Sequence, residues 1–378
     1  AGQGPFNRFG FSASFAGDVD GDSVQDVLVG APYFMNESNT MELGLSYAQL
    51  LSGASGAVLQ TYFSDFGCPT CFTTRFGWSV SGGGDVDGDG IPDSIVGETH
   101  ASPVRGLAVF SGVGGTVIYE TGDWTGSSVQ HLGDVDGDGF GDFLGADALP
   151  NAISCNQYVT SPSNGYLGCG RGVVFSGSDG GILYTLKRPG SVILGGTSAA
   201  ARDLDGDDFP DVLLGDWGYP AGAPLHPGRL TAFSLAPVGV TVYGTGCPAG
   251  GTGIPRIGIR GVPEIGTTTA VNVSKTVPGG RALLVLGLSD TAWGPVPLPL
   301  DLGSLGMAGC SLLASADLLC PIDTEPTPPA PGRGSVLLAI PFEPSLIGAA
   351  VFVQWIVGSA PGALIPGGAT RALRIQFS

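Results

Sequence analysis

Charged side chains are scarce in this sequence. Only 13% of its 378 residues are Asp, Glu, Lys or Arg, and the two lysines are Lys187 and Lys275. Long surface helices need charged, helix-favouring residues on their outer face, so the composition excludes an all-helical protein. Glycine and proline, with 66 and 29 residues, are abundant instead. Because 43% of the residues are hydrophobic, we expect a turn-rich folded chain rather than a disordered one.

Clusters of positive charge and long apolar runs are also missing. The formal net charge is −18, which argues against a nucleic-acid partner and against electrostatic binding to a membrane surface. The longest apolar runs, such as residues 348–358, fall short of the ~20 residues that span a bilayer. We therefore expect no membrane span.

Several features point to the outside of a cell. The chain begins at Ala1, not Met, and shows no signal peptide, as expected for a mature exported protein or for a trimmed chain. Seven cysteines in an acidic, glycine-rich chain favour an oxidising compartment. The sequence thus predicts a secreted, extracellular or cell-surface protein.

Four segments of nine residues repeat along the first 240 residues. We call residues 18–26, 85–93, 134–142 and 203–211 loops 1 to 4, and each carries Asp at positions 1, 3, 5 and 9. A short apolar run follows each loop, and in the first three repeats two further apolar runs follow that are separated by a glycine turn. This pattern predicts four short strands per repeat, as in a β-propeller blade. A linear array of hairpins is the alternative.

The Asp spacing predicts a metal-binding loop. Four carboxylates and the backbone carbonyl of position 7 form a cage of hard oxygens that suits Ca²⁺. About four Ca²⁺ ions are expected, and they would change the formal charge from −18 to about −10. The predicted ligands are Asp18, Asp20, Asp22, Val24 and Asp26; Asp85, Asp87, Asp89, Ile91 and Asp93; Asp134, Asp136, Asp138, Phe140 and Asp142; and Asp203, Asp205, Asp207, Phe209 and Asp211.

Two other interpretations of these loops are available. An EF-hand requires Glu at position 12 and flanking helices, but position 12 holds Val29, Val96, Gly145 and Leu214, so an EF-hand is excluded. Asp and Gly that merely form Asx turns would explain one such loop. Four repetitions of one spacing favour the metal.

The repeats resemble the FG-GAP repeats of the integrin α-subunit propeller over roughly residues 6–240. The resemblance rests on the loops, on Phe9-Gly10 and Phe76-Gly77 before them, and on Gly30-Ala31-Pro32 after the first. Repeats 3 and 4 lack the Phe-Gly and Gly-Ala-Pro motifs. The resemblance implies calcium in the loops and a seven-bladed propeller, whereas the sequence has four repeats. Blade number and closure stay open, including closure by a strand from the N-terminal arm or from a neighbouring chain.

The sequence predicts two domains. Residues 1–240 form the calcium-binding, propeller-like domain. Residues 241–378 lack Asp loops, and their pattern predicts an antiparallel β-sandwich as the second domain. Parts of it, including residues 243–248 and 309–313, resemble a C-terminal domain of secreted FG-GAP proteins of planctomycetes and related bacteria. The family pattern implies a Cys247–Cys310 bridge. Predicted strands cover residues 256–260, 267–273, 282–288, 336–340, 351–357 and 372–377.

The remaining cysteines allow local bridges. Cys155 and Cys169 bracket one loop insertion, where we expect a bridge. Cys68 and Cys71 form either a structural loop clip, which we favour, or a redox pair. Cys320 is left over, either buried and free or available to a neighbouring chain.

Known catalytic motifs are missing from the sequence: it has no nucleophile elbow, P-loop or His-Glu-x-x-His. His131, just before loop 3, is read as a packed or solvated residue rather than a base. We therefore expect a non-enzymatic, calcium-stabilised structural or adhesive protein, and self-assembly into a filament or surface layer is a further hypothesis. The alternatives are a monomeric carbohydrate- or protein-binding adhesin and a carbohydrate-active enzyme.

The loops between second and third strands carry aromatic residues that would lie opposite the calcium. We expect this face to contact a cell-surface glycan, a protein ligand or a second copy in a homo-oligomer or polymer. Aromatics that merely cap the blade tops are the alternative. The candidates are Tyr33, Phe34, Tyr158, Tyr166, Trp217 and Tyr219.

Overall fold

The computed structural model divides the chain into two compact units. Unit 1 comprises residues 1–133, 141–202 and 210–234, and unit 2 comprises residues 134–140, 203–209 and 235–378. The domain limits of 1–240 and 241–378 stay a prediction. The structure describes residues 8–32, 46–64, 75–99, 106–122, 125–147, 170–188, 194–216, 227–249, 253–325, 331–361 and 366–378.

Unit 1 contains one antiparallel sheet for each repeat. The strands of repeats 1 and 2 are β1 (Ser12–Gly17), β2 (Asp26–Ala31), β3 (Tyr47–Leu51), β4 (Val58–Phe63), β5 (Ser79–Gly84), β6 (Asp93–Gly97), β7 (Leu107–Phe110) and β8 (Val117–Glu120). Those of repeats 3 and 4 are β9 (Ser128–Gly133), β10 (Asp142–Asp147), β11 (Arg171–Phe175), β12 (Ile182–Leu186), β13 (Leu194–Ala201), β14 (Asp211–Asp216) and β15 (Arg229–Ser234). The fold is all-β, as expected.

Each Asp loop joins the first and second strands of its sheet, and in the first three repeats a glycine hairpin joins the third and fourth. The first strands of consecutive sheets lie side by side: β1 contacts β5, β5 contacts β9, and β9 contacts β13. Buried apolar residues such as Leu28, Leu50, Phe76 and Val96 pack between the first two sheets. The four sheets are arranged like propeller blades, and their closure stays a prediction.

Repeat 4 differs from the expected four strands. Its sheet has three strands among the described residues, in the order β13, β14, β15. The next strand, β16 (Val240–Tyr243), pairs with β27 (Pro366–Gln376) at the C-terminus instead. The fourth strand expected in this blade therefore belongs to the sheet of unit 2.

Unit 2 contains two sheets that share one hydrophobic core. Its other main strands are β17 (Arg256–Arg260), β18 (Thr268–Thr276), β19 (Arg281–Gly287), β24 (Leu318–Asp323), β25 (Gly332–Ala339) and β26 (Ala350–Gly358). Short pieces complete it: β20 (Ala292–Trp293), β21 (Val296–Pro297), β22 (Leu300–Asp301), β23 (Ser311–Leu312) and the 3₁₀ turns Gly303–Leu305 and Pro344–Leu346.

The sheet orders are β16-β27-β26-β19-β24 and β17-β18-β25. Ile259 and Val271 from the smaller sheet pack with Leu284 and Trp355 from the larger one, which is the arrangement of an antiparallel sandwich. The six predicted strands of this region are all present. Strand β24 was missed because Pro321 lies within it, and it occupies a sheet edge where proline is tolerated. No helix in the described ranges is long and apolar enough to cross a membrane.

Candidate metal centres in the Asp loops

Each Asp loop brings three carboxylates together. One oxygen from each of the three lies within 4.8 Å of the others. In loop 1 the group uses positions 1, 3 and 5, and in the other loops it uses positions 1, 3 and 9. The groups are Asp18, Asp20 and Asp22; Asp85, Asp87 and Asp93; Asp134, Asp136 and Asp142; and Asp203, Asp205 and Asp211. Each group could hold one cation.

The backbone of the loop wraps around the carboxylate at position 1. In loop 2, Asp85 Oδ1 accepts the N–H of Gly88 at 2.7 Å, and Oδ2 accepts the N–H of Gly90 at 2.9 Å. Positions 4 and 6 have positive φ in all four loops. Position 4 is always glycine, whereas Ser23 and Asp208 occupy the left-handed conformation at position 6 of loops 1 and 4, where a side chain costs about 1 kcal/mol.

The carboxylate at position 9 ties the loop to the neighbouring hairpin. Asp93 Oδ2 accepts the N–H of Val86 at 2.6 Å, and its Oδ1 accepts the N–H of Gly112 at 2.8 Å. The bond to the hairpin glycine recurs at 3.0 Å in repeats 1 and 3, between Asp26 and Gly53 and between Asp142 and Gly177. This role of position 9 was not predicted, although the Ser-Gly pair that recurs at the hairpin is a sequence signal for it.

Position 7 presents its N–H to the carboxylate at position 5. The distances from the position 7 nitrogen to Oδ1 are 2.8, 2.8, 3.0 and 2.9 Å in loops 1 to 4. Of the position 5 carboxylates, only that of loop 1 belongs to a clustered group. The predicted carbonyl ligands Val24, Ile91, Phe140 and Phe209 stay a prediction.

Burial makes two of the loops electrostatically unfavourable without a cation. Burial, together with the nearby charge of Asp87, raises the pKa of Asp93 to about 7. In loop 3, burial and the neighbouring acidic groups raise the pKa of Asp136 and of Asp134. Asp134 Oδ1 is buried and accepts no hydrogen bond from the described residues. An oxygen-only donor set with an unsatisfied buried oxygen fits a hard divalent cation such as Ca²⁺.

Loop 4 has a different electrostatic balance. The pKa of Asp203 lies below its ordinary value because backbone N–H groups, foremost that of Asp208, donate hydrogen bonds to its exposed carboxylate. The four loops therefore share one backbone but differ in burial, and we expect their cation affinities to differ.

The first repeat matches a known protein family, and the chain is similar to integrin alpha subunits. Residues 9–47, which contain loop 1 and the Phe-Gly pair before it, match the FG-GAP repeat family. These residues form an FG-GAP repeat. A stretch of 216 residues, 56% of the chain, is 28% identical to integrin alpha-5 of Xenopus laevis and covers 15% of that protein. A stretch of 95 residues, 25% of the chain, is 35% identical to integrin alpha-M of Mus musculus and covers 8% of it.

The matched segments thus span a small part of these relatives' length. Among solved structures, an exotype rhamnogalacturonan lyase is similar with a TM-score of 0.30 and 15% identity, over 69% of this chain and 52% of that one. Hydrazine synthase of Kuenenia stuttgartiensis follows with a TM-score of 0.29 and 10% identity, over 72% and 80%. Scores this low do not establish a shared fold.

Residues of β18 hold loop 3 within unit 2. Asn272 Nδ2 donates to the carbonyl oxygen of Asp136 at 3.0 Å, and Ser274 Oγ donates to Asp134 Oδ2 at 3.1 Å. Asn272 is 2% exposed. It belongs to a glycosylation sequon, Asn272-Val-Ser274, but its amide is committed to this buried contact.

Arginines surround the same loop. Arg260 Nε lies 3.8 Å from Asp136 Oδ2, and the guanidinium carbon of Arg333 lies 3.6 Å from the ring centre of Phe140. In loop 4, Phe209 is buried in the core of unit 2, and Asp208 pairs with Arg371. These partners could not be predicted from the sequence, since each comes from a distant part of the chain.

His131 is a packed residue. Its ring lies against two glycines, because a Cβ built on Gly84 or Gly141 would come within 1.6 or 2.4 Å of Nε2. Burial lowers the pKa of His131 to about 4. The neutral ring therefore fills space beside loop 3.

The Cys247–Cys310 disulfide is present, with Cα atoms 5.2 Å apart. Cys320 is a free, half-buried thiol on β24. The other cysteines and the aromatic contact candidates lie outside the described residues, so their roles stay predictions: Cys68, Cys71, Cys155, Cys169, Tyr33, Phe34, Tyr158, Tyr166, Trp217 and Tyr219.

Proposed function

We propose that this chain is a calcium-stabilised, extracellular FG-GAP repeat protein that acts by adhesion or as a structural element, without catalysis. The clustering of three carboxylates in every one of the four Asp loops carries the proposal. Such a cluster is unfavourable in isolation because like charges repel. One divalent cation per loop removes that cost and fixes the turn between the first and second strands.

Calcium is the cation that suits this donor set. The groups contain carboxylate oxygens only, and Ca²⁺ accepts 6 to 8 oxygens in flexible geometry, whereas Mg²⁺ requires a near-ideal octahedron. Bound at the four loops, the cations would offset half of the formal negative charge of each loop. In the first three sheets they would also stabilise the turn between the first and second strands against the hairpin glycine.

The adhesive role is supported by the similarity to integrin alpha subunits over up to 56% of the chain. The chain spans at most 15% of these relatives' length, so the support for an adhesive role comes from the repeats alone. Its partner is a cell-surface glycan or protein, or further copies of itself in an oligomer or polymer. A net charge of −18 disfavours nucleic acid.

Calorimetric titration of the cation-free protein with CaCl₂ tests the proposal. We expect about four sites with affinities in the range of ~10⁻⁴ to 10⁻³ M. The substitution Asp87→Asn at position 3 of loop 2 should remove one site. The matched control Asp317→Asn, outside the loops, should keep all four. Absence of calcium binding at 10 mM, or equal loss in both variants, would overturn the metal assignment.

Assembly is tested separately. Light scattering in millimolar calcium and again after chelation reports the molar mass in both states. Large assemblies that dissociate on chelation support a calcium-dependent polymer. A monomer in both conditions would reject the polymer and support a monomeric adhesin.

A further inference from the structure

A cleft of about 510 Å³ lies in unit 2 on the outer face of the small sheet, beside loop 3. Its floor is formed by cross-strand neighbours. Ala270 of β18 pairs with Arg260 of β17 on one side and with Leu337 of β25 on the other, and Asn272 pairs with Ser335. These residues alternate with Val271 and Ile259, which point into the core, so the cleft faces away from the core.

The cleft has a positive and a negative group. Arg260 lines it with 29% of its side chain exposed, and its Nε lies 3.8 Å from the buried carboxylate of Asp136. That buried carboxylate holds the guanidinium in one place. Asp138, at position 5 of loop 3, lines the cleft as well. Its Oδ1 accepts the N–H of Phe140 at 3.0 Å.

The rest of the lining is hydroxyl, amide and small apolar surface. Thr268, Ser335 and Asn272 supply the polar groups, and Ala270 and Leu337 supply the apolar ones. Leu337 is 71% exposed and presents its side chain to the cleft. Small-molecule sites have volumes of about 300–1,000 Å³ and combine apolar walls with a few placed polar groups.

We propose that this cleft binds a carboxylated sugar, a uronic acid unit of an acidic saccharide. The Arg260 guanidinium pairs with the carboxylate, for which its planar fork is suited. The exposed hydroxyl groups of Thr268 and Ser335 bind ring hydroxyls. Leu337 packs against the C–H face of the ring.

Calcium strengthens this binding, a point that rests on the proposed function. A carboxylated ligand beside an uncompensated Asp138 is repelled. A cation held in loop 3 offsets half of the formal charge of the four Asp residues in that loop, so the repulsion of a carboxylated ligand at the cleft becomes weaker. Acidic sugar binding and loop 3 occupancy are thus coupled, and each should raise the affinity for the other.

The test is calorimetric titration of the full chain with trigalacturonic acid and with its carboxyl-reduced, neutral counterpart, in calcium and in chelator. We expect the acidic trisaccharide to bind about ten-fold more tightly than the neutral one, and about ten-fold more weakly to Ser335→Glu and Arg260→Met. Ser335 is exposed, so Ser335→Glu should fold normally. The control Ser345→Glu adds the same charge to an exposed site elsewhere and should bind like the unsubstituted chain.

The possible results separate the cleft assignment, the calcium coupling and the proposed function. Equal affinity for the acidic and the neutral trisaccharide, binding unaffected by Ser335→Glu, or no binding would overturn the cleft assignment. A melting temperature that rises with calcium while the acidic sugar does not bind would leave the proposed function standing and reject the cleft. Binding of equal strength in calcium and in chelator would reject the coupling and leave the Arg260 contact.

Discussion

The backbone N–H of Gly112 donates a hydrogen bond of 2.8 Å to Oδ1 of Asp93. The bond joins the hairpin between the third and fourth strands of repeat 2 to the Asp loop between its first and second strands. Equivalent bonds occur in repeats 1 and 3. A cation bound at Asp93 would therefore stabilise two turns of the same sheet at once.

The first prediction concerns the hairpin glycine. A Cβ at Gly112 would lie 2.3 Å from the carbonyl oxygen of Pro92, at position 8 of loop 2. Gly112→Ala should therefore push the hairpin from the loop and lower the free energy of unfolding by about 2 kcal/mol or more. Gly114→Ala, in the same hairpin, has no atom within 4 Å but a φ of +77° and should cost about 1 kcal/mol. Chemical denaturation measures both, and equal costs would contradict the close approach.

The second prediction concerns acid stability without a cation. The pKa of Asp93 rises on folding from 3.8 to about 7, chiefly through burial. The folded state thus holds this proton more tightly, so its contribution to stability is full below pH 3.8 and is lost as the pH rises through about 7. In chelator, Asp93→Asn should flatten this part of the pH dependence of the melting temperature. The idea fails if the unsubstituted chain and the variant show the same slope.

The third prediction concerns His131, whose contribution to stability changes with pH in the opposite direction to that of Asp93. Burial lowers the pKa of His131 from 6.5 to about 4, so the unfolded chain takes up this proton first. The stability contribution of His131 is full above pH 6.5 and is lost as the pH falls toward 4. The substitution His131→Gln should remove this loss, as seen in the difference between the two pH profiles. An unchanged difference from pH 7 to pH 4 would show that the ring is solvated.

The fourth prediction concerns the sequon at Asn272. Because its amide is buried and bonded to Asp136, folded protein from a glycosylating host should carry no glycan there, as measured by glycopeptide mass spectrometry. Asn272→Ala should cost about 1–3 kcal/mol of stability, since a buried carbonyl loses its donor. A glycan on Asn272 in natively folded protein would refute the burial.

Local features of this chain were readable from its sequence. The Asp loops depend on residues within nine positions of one another, and the glycine at position 4 adopts its positive φ without strain, so the loop geometry is determined locally. The strands β17 and β26 follow from continuous apolar or alternating runs.

Pairing between distant segments could not be predicted from the sequence. Strand β16 pairs with β27 and not with the sheet of repeat 4. This pairing could not be predicted, because β27 lies about 130 residues later in the chain. Asn272, which donates a hydrogen bond to the carbonyl oxygen of Asp136, lies 136 residues away in the chain. Arg260 is one of many isolated arginines until the register of β17 and β18 places it over loop 3.

The most direct test of calcium stabilisation is the melting temperature of the full chain in 10 mM CaCl₂ and in excess chelator. Binding to the folded state alone should stabilise by about 1.4 kcal/mol per site for a dissociation constant near 1 mM. We predict a melting temperature that rises with calcium over the millimolar range and returns to its lower value on chelation. An identical melting temperature in both solutions would contradict the assignment of the Asp loops as calcium sites.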